Sequence, residues 1–370
     1  MSVVYLFSGI LITLYIWLIL WFYKGWSNIA THSVINRGST FVTVIIPFRN
    51  EEIHIPSLVQ ALESQTYPSD KWNIIFVDDH SADQSCNLIR STLPEAELIH
   101  LPSDISGKKS ALEYGAVRSN AELLLFTDAD CIPGNKWISS IVSYYESIHP
   151  VLISGPVIME AGNSFLSKFQ ALEFLSLSAS GAASFGNKNP IMTNGANLAV
   201  RRDVYIEYLG NSHNITPSGD DIFLLLSLKK KYPGNLVYLK SVDAIIRTFP
   251  VPDLKSFILQ RLRWTSKARY YRDTSIISVA VLVFLINFWL IVCIVSGFFI
   301  PGFFIIWGLI FFLKFSADYI FLRKVAGFTE QDSLLKNFVL SQLVYFLYIG
   351  FTGIVGNLTA VKWKGRKIKA

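Results

Sequence analysis

Three short polar clusters close apolar runs, and their residue types suit the handling of a charged ligand. Pro47-Phe48-Arg49-Asn50-Glu51 follows Val42–Ile46, Asp78-Asp79-His80-Ser81 closes Trp72–Asp79, and Asp128-Ala129-Asp130 closes Ala121–Asp128. On an extended chain side chains repeat with period two, so Asp128 and Asp130 should share a side. Two carboxylates so placed repel each other. A hard cation such as Mg2+ or Mn2+ removes that penalty and is commonly held by one or two carboxylates together with phosphate oxygens. The alternative is a pair of helix-capping acids ahead of Asn135. Gly107 precedes Lys108 and Lys109 at an expected helix start. Cations are unfavourable at that end, where the helix dipole attracts anions. Lysines there read as a phosphate seat rather than a stabilising device.

The elements that must position these clusters alternate. Val42–Ile46, Trp72–Asp79, Ala96–Leu101, Ala121–Asp128 and Val151–Met159 are predicted strands. Ile53–Ser64, Asp83–Thr92, Lys108–Ser119 and Asn135–Ser147 are predicted helices between them. Continuous apolar strands joined by helices imply a mainly parallel α/β sheet covered on both faces. Ligands then bind beyond the carboxyl ends of the strands, where all three polar clusters should meet. No strand is followed by G-x-G-x-x-G or by a Walker A loop, so dinucleotide-binding and P-loop classes are excluded.

Composition adds a membrane. The chain of 370 residues is 51% hydrophobic with a mean hydropathy of +0.40, and only 16% charged with a net charge of +6. This is the balance of a membrane protein carrying a polar domain. Val3–Tyr23, Ser275–Phe299 and Phe303–Leu322 are long enough to span a bilayer. Leu335–Leu358 is a weaker fourth candidate, interrupted by Lys336, Asn337 and Gln342 and by Gly350, Gly353 and Gly356. Val3–Tyr23 lacks the basic n-region and small-residue cleavage site of a signal peptide. Lys24, Arg37, Arg323 and Lys324 place the middle region and the end of the third span in the cytoplasm. A full fourth crossing would put Lys362, Lys364, Arg366, Lys367 and Lys369 outside, so this segment is expected to be re-entrant or interfacial. Cys86, Cys131 and Cys293 offer neither a disulfide framework nor metal spacing, which fits a reducing compartment.

The order of the motifs carries a resemblance. VTVIIPFRNEE, FVDDHSADQS, GKKSAL, FTDAD, TNGANLAVRR, GDDIFLLL and QRLRW occur in that sequence over roughly residues 40–264, and WKGR stands at Trp363–Arg366. In this the chain resembles membrane-bound inverting glycosyltransferases of family 2, with a GT-A fold, among them cellulose and hyaluronan synthases and ceramide glucosyltransferases. The nearest look-alikes are bacterial members with one leading span and a few trailing ones.

The resemblance implies roles. Pro47, Glu51, Asp78 and Asp79 would form the nucleoside pocket of a nucleotide sugar, with Arg49 either a nucleotide contact or a solvated loop charge. Lys108 would meet phosphate and Asp128 the nucleotide sugar, while Asp130 would be the direct ligand of Mg2+ or Mn2+. Asp221, with Asp220 beside it, would be the general base, although both also suit a helix N-cap. Gln260, Arg263 and Trp264 would serve the acceptor and the diphosphate. Lys267, Arg269 and Arg272 would face the membrane surface.

The expected organisation is a membrane helix over residues 1–24, a catalytic GT-A domain over 40–250 and an amphipathic interfacial helix over 251–274. A membrane region over 275–360 and a basic tail over 361–370 follow. The expected activity is transfer of a sugar to a membrane lipid, in a multi-pass protein of the bacterial inner membrane with its catalytic domain cytoplasmic. Nucleic acid is not an expected partner. A processive polysaccharide synthase is the alternative within the class, and a sugar-phosphate nucleotidyltransferase the alternative outside it. Which sugar, nucleotide, acceptor and oligomeric state apply stays open at this level.

Overall fold

Twenty-seven residues from Ser2 to Asn28 form the first helix, α1, apolar on every side. The computed structural model describes residues 2–34, 38–211 and 219–358, and the backbone of 361–363 and 366–368, with side chains described as far as residue 356. Arg37, Lys364 and Lys369 lie outside the described residues, as do the side chains of the remaining tail bases. The chain forms two compact units that do not follow chain order. One comprises Ile29–Glu160 and Pro190–Phe249, and the other Met1–Asn28, Ala161–Asn189 and Pro250–Ala370.

The first unit is built on a sheet. Its strands are β1 (Val42–Phe48), β2 (Trp72–Asp78), β3 (Glu97–His100), β4 (Leu123–Phe126), β6 (Leu152–Ser154), β8 (Leu198–Arg201) and β9 (Leu236–Tyr238), in the order β3-β2-β1-β4-β8-β6-β9. All seven residues of β1 are buried, as a strand covered on both faces requires. The helices are α2 (Ile55–Glu63), α3 (Ser85–Thr92), α4 (Lys108–Arg118), α5 (Trp137–Ile148), α7 (Arg202–Asn211) and α8 (Asp220–Lys231). Helix α4 lies close on the sheet at Gly115, where a Cβ would come within 2.7 Å of Ile45.

The parallel expectation holds for β3, β2, β1 and β4, but β8 runs antiparallel to both β4 and β6. The predicted strand Val151–Met159 is two strands. Gly155 and Pro156 break it, and β7 (Val157–Met159) joins β5 (Ile132–Pro133) and β10 (Ile246–Thr248) in a small second sheet. Buried Asn197 holds that junction: its Nδ2 donates to the Pro156 and Ala244 carbonyls at 2.8 Å, and its Oδ1 accepts from Trp137 Nε1 at 3.0 Å. In the main sheet Phe48 pairs with Asp78, Asp78 with His100, and Ile45 with Phe126. The loops after β1, β2, β3 and β4 therefore open at one edge.

The second unit is helical. It contains α1, α6 (Phe165–Gly186), α9 (Leu254–Thr265), α10 (Thr274–Gly297), α11 (Gly302–Thr329) and α12 (Phe338–Leu358), followed by a hairpin of β11 (Val361–Trp363) and β12 (Arg366–Ile368). Four helical stretches, Ser2–Asn28, Thr274–Gly297, Gly302–Thr329 and Asp332–Gly356, are long and apolar enough to cross a membrane. Lys314 and Asp318, two of the four charged residues inside the third of these, are buried and paired at 2.7 Å. Tyr15 OH donates to Asp318 at 2.8 Å and Lys314 to Gln342 at 3.0 Å, so α1, α11 and α12 share one satisfied polar network. This is how an ionisable pair is tolerated where water is absent. Helix α12 also runs beside α9: the Tyr348 and Phe257 rings stack at 5.4 Å, and a Cβ on Gly356 would lie 2.8 Å from Thr265.

Candidate active site

The first two polar clusters are latched to each other. Asn50 N donates to Ser81 Oγ at 3.0 Å, Ala82 N to Asn50 Oδ1 at 2.8 Å, and Glu51 N to Ser85 Oγ at 2.9 Å. Asn50 and His80 take positive φ values of 53° and 60°, which turn the chain sharply after β1 and β2. Pro47 is buried within β1, and Arg49 is half-buried. Glu51 is fixed by His54, whose Nδ1 lies 2.8 Å from Oε2.

Asp78 and Asp79, adjacent in sequence, do different work. Both are buried. Asp78 spends its oxygens inside the protein, Oδ1 accepting from Ser81 N at 2.8 Å and Oδ2 lying 2.9 Å from His100 Nδ1. Arg90 stands 2.9 Å from His100 Nε2; since arginine has no acceptor, Nε2 accepts and Nδ1 donates to Asp78. Burial opposes the Asp78 charge, but the bonds from Ser81 and His100 outweigh it and hold the carboxyl below its ordinary range. Cys86 approaches the same group, and Asp78, Cys86 and His100 present ligand atoms within 4.8 Å of one another. Burial and the Asp78 charge push the Cys86 thiol up to about 11, so it keeps its proton at neutral pH. With Arg90 on the far side of His100, this is a hydrogen-bonded brace. Asp79 turns to the ligand edge, where its Oδ1 accepts from Gly107 N at 3.0 Å. That bond ties β2 to the start of α4, where Gly107 has φ 108°, a conformation glycine adopts without strain.

Helix α4 presents its first residue, Lys108, to Asp128, and the two form an ion pair. Partial desolvation opposes the charge of a lysine whose side chain stays 43% exposed, but Asp128 first, then Asp221 and Asp220, raise its proton affinity above the ordinary lysine value. Four of the expected site residues are thus brought within electrostatic reach of each other. Lys109 pairs instead with Glu113 at 3.7 Å.

Strand β4 ends at Phe126, two residues short of the expected boundary. Asp128 and Asp130 consequently sit in a turn closed by Cys131 N donating to the Asp128 carbonyl at 3.1 Å. The period-two argument for their shared side does not apply, yet they still act on one another. Loss of hydration, then the charges of Asp128 and Glu51, push the Asp130 carboxyl above its ordinary range, against Lys108 and His54. Asp128, Asp130 and Glu51 bring three carboxylate charges to bear on one another, and Lys108 and His54 oppose them. That donor set fits a hard divalent cation.

Asp220 and Asp221 open α8 after Gly219, whose φ is 95°. The Asp221 carboxylate accepts from Gly195 N at 3.1 Å and from its neighbour Ile222 N at 2.9 Å. The T-N-G-A-N segment, given no individual roles by sequence, thus orients one acid through Gly195 and pins the sheet junction through Asn197. His54 and His100 are supporting residues that the sequence reading passed over, while Gly107 and Gly195 were read only as parts of their motifs. His100 lies one residue before the end of the predicted strand Ala96–Leu101, on the ligand edge, the one signal that could have found it.

Gln260, Arg263 and Trp264 belong to the helical unit, all half-buried on α9. Gln260 Oε1 accepts from Arg261, and the Arg261 guanidinium lies 4.1 Å from the Trp264 ring centroid. Beyond them Lys267 is half-buried, while Arg269 and Arg272 are exposed.

Residues 43–209 match the profile of Glycosyl transferase family 2. Glycosyltransferase AglE of Haloferax volcanii is 31% identical over 184 residues, 49% of this chain and 59% of that protein. Dolichyl-phosphate beta-glucosyltransferase ALG5C of Trichomonas vaginalis is 29% identical over 107 residues, 26% of this chain and 32% of that protein. The chain therefore spans less than two thirds of the length of these curated relatives. Among solved structures, mannosyltransferase PcManGT from Pyrobaculum calidifontis is similar in fold, with a TM-score of 0.57, 17% identity and 95% of each chain covered. Residues 43–209 thus match a glycosyl transferase family 2 domain, carried on a GT-A-like α/β sheet.

Proposed function

We propose that this chain transfers a sugar, with inversion, from a nucleotide-diphosphate sugar to a membrane lipid on the cytoplasmic face, UDP-sugars being the first candidates as donor. The observation that carries the reading is the Lys108–Asp128 ion pair at the ligand edge of the sheet, with Asp221 oriented by Gly195 N and both Asp220 and Asp221 adding to the electrostatic pull on Lys108. The same chain holds four helices apolar enough to cross a membrane. Two printed names add support, since ALG5C acts on dolichyl phosphate and PcManGT was solved with GDP-Man and Mn2+.

In this mechanism Asp79, Glu51 and Pro47 receive the nucleoside, with Asp78 bracing Asp79 from behind. Lys108 meets the diphosphate, a role that the family resemblance also gives to Arg263. A divalent ion held by Asp130, and through Asp128, would supply charge stabilisation to the leaving diphosphate. Asp221, oriented by Gly195, takes the proton of the acceptor hydroxyl. The hydroxyl oxygen forms its bond to the anomeric carbon as the bond to the diphosphate oxygen breaks on the opposite face. The electron pair leaves with the nucleoside diphosphate, and no covalent enzyme intermediate arises. Gln260 and Trp264 bound the acceptor.

The test is incubation of the detergent-purified chain with UDP-glucose, UDP-N-acetylglucosamine or GDP-mannose, Mn2+ or Mg2+, and a membrane lipid extract, followed by mass spectrometry. One lipid class should gain a single sugar mass. No sugar on any lipid with any donor would sink the reading, and a ladder lengthening with time would replace it by processive synthesis.

A further inference from the structure

We infer that Arg261, clamped by Glu173 and Tyr348, is the positioning residue that orients Gln260 and Trp264, the two side chains assigned above to the acceptor. It is the second residue of the Q-R-L-R-W segment, and no role attached to it in the sequence. The proposal rests on the functional reading only for what Gln260 and Trp264 then recognise; the geometry stands within the helical unit alone.

Arg261 is 2% exposed, rare for a guanidinium, and its partner Glu173 on α6 is 4% exposed. All three nitrogens of its planar fork donate. Nε donates to Glu173 Oε1 at 3.0 Å and Oε2 at 3.1 Å, and one terminal nitrogen donates to Oε2 at 2.5 Å. The other terminal nitrogen donates to Gln260 Oε1. Tyr348 OH on α12 donates to Glu173 Oε1 at 3.0 Å, fixing the carboxylate from a third helix. A guanidinium held in its plane by a carboxylate has its faces fixed as well. Those faces lie 4.1 Å from the Trp264 ring centroid and 4.7 Å from that of Phe257, within cation–π range. One orienting bond thus sets both the amide of Gln260 and the ring of Trp264.

A buried ion pair is weak as a source of stability, because desolvation offsets its attraction. Its orienting power is the property that a hydrophobic replacement could not reproduce. The clamp acts on α9 from α6 and α12, two elements that carry none of the proposed site residues.

The experiment uses the full chain in detergent micelles, labelled with 5-fluorotryptophan. The nine tryptophans give nine signals, and that of Trp264 is assigned by its loss in Trp264→Phe. In Glu173→Gln, which touches Trp264 only through Arg261, the Trp264 signal should shift or broaden while most others hold. An unchanged Trp264 signal in a monodisperse sample, or a uniform change across all nine, overturns the proposal. If Glu173→Gln does not fold, Tyr348→Phe, which deletes one hydroxyl, decides by the same criterion.

Kinetics give a second readout, with undecaprenyl phosphate as probe acceptor and UDP-glucose as probe donor. Glu173→Gln should raise the acceptor KM at least fivefold and leave the donor KM within twofold, whereas a merely structural role would lower kcat alone. An unchanged acceptor KM in a folded variant counts against the clamp. A wild type that glycosylates nothing removes the functional reading, while the fluorine spectrum still decides this one.

Discussion

At the residue scale, roles divide by what each carboxylate is already bonded to. Asp221 is oriented by backbone N–H groups, as a base that must face a substrate should be. Asp221→Asn is expected to lower turnover 100-fold or more, the usual range for loss of a general base, with nucleotide-sugar binding by calorimetry unchanged. Asp130→Asn should instead weaken the Mn2+-dependent part of nucleotide binding, measured by titration with and without the ion. Asp78 is a structural acid, and its replacement by Asn would set an amide N–H against the donating Nδ1 of His100 or forfeit the bond from Ser81 N. The cost is about 2 kcal/mol at pH 7, the range for a hydrogen bond to a charged group. Because the folded carboxyl binds its proton more weakly than the unfolded chain does, this stability is fully present above about pH 4 and is lost as pH falls through the folded value. Denaturation midpoints of wild type and Asp78→Asn should therefore converge in acid.

At the element scale, position depends on how near two backbones can come. A Cβ on Gly353 of α12 would lie 2.6 Å from the Phe284 ring on α10, and one on Gly350 would lie 2.5 Å from Ile291. Gly353→Leu should force these helices apart at a cost of about 1–3 kcal/mol, the range for overpacking, read as a lower midpoint of thermal aggregation in micelles. Prediction from the sequence worked for the elements whose apolar period was clean: β1, α4 and the leading helix were legible. Helix α6 was not, because Ser176, Ser178, Ser180, Gly181 and Ser184 dilute its apolar pattern. Strands β9 and β10 are three residues each, too short to show any alternation.

At the scale of the whole molecule, the charge pattern sets the expected topology. Lys24, Arg323 and Lys324 would put the sheet unit on the cytoplasmic side, and the bases at 362–369 would ask for the same side. A fluorescent-protein fusion after Ala370 should then fluoresce and a phosphatase fusion there should be inactive in a bacterial host. The opposite pair of results would make the last apolar helix a full crossing.

What the sequence determined by itself was chemistry and class: an ordered set of carboxylates, lysines and an aromatic-basic segment, and enough uninterrupted apolar length to enter a bilayer. Composition and local spacing carry those because they depend on residue type alone. Only the tertiary structure decided which carboxylates are spent and which are presented. It separated Asp78 from Asp79, moved Asp128 and Asp130 from a strand into a turn, paired Lys108 with Asp128, and bonded Asp221 to Gly195 N. It also joined Glu173 to Arg261, across 88 residues. Such partnerships are set by how strands pair and helices pack, and no spacing along a chain encodes them.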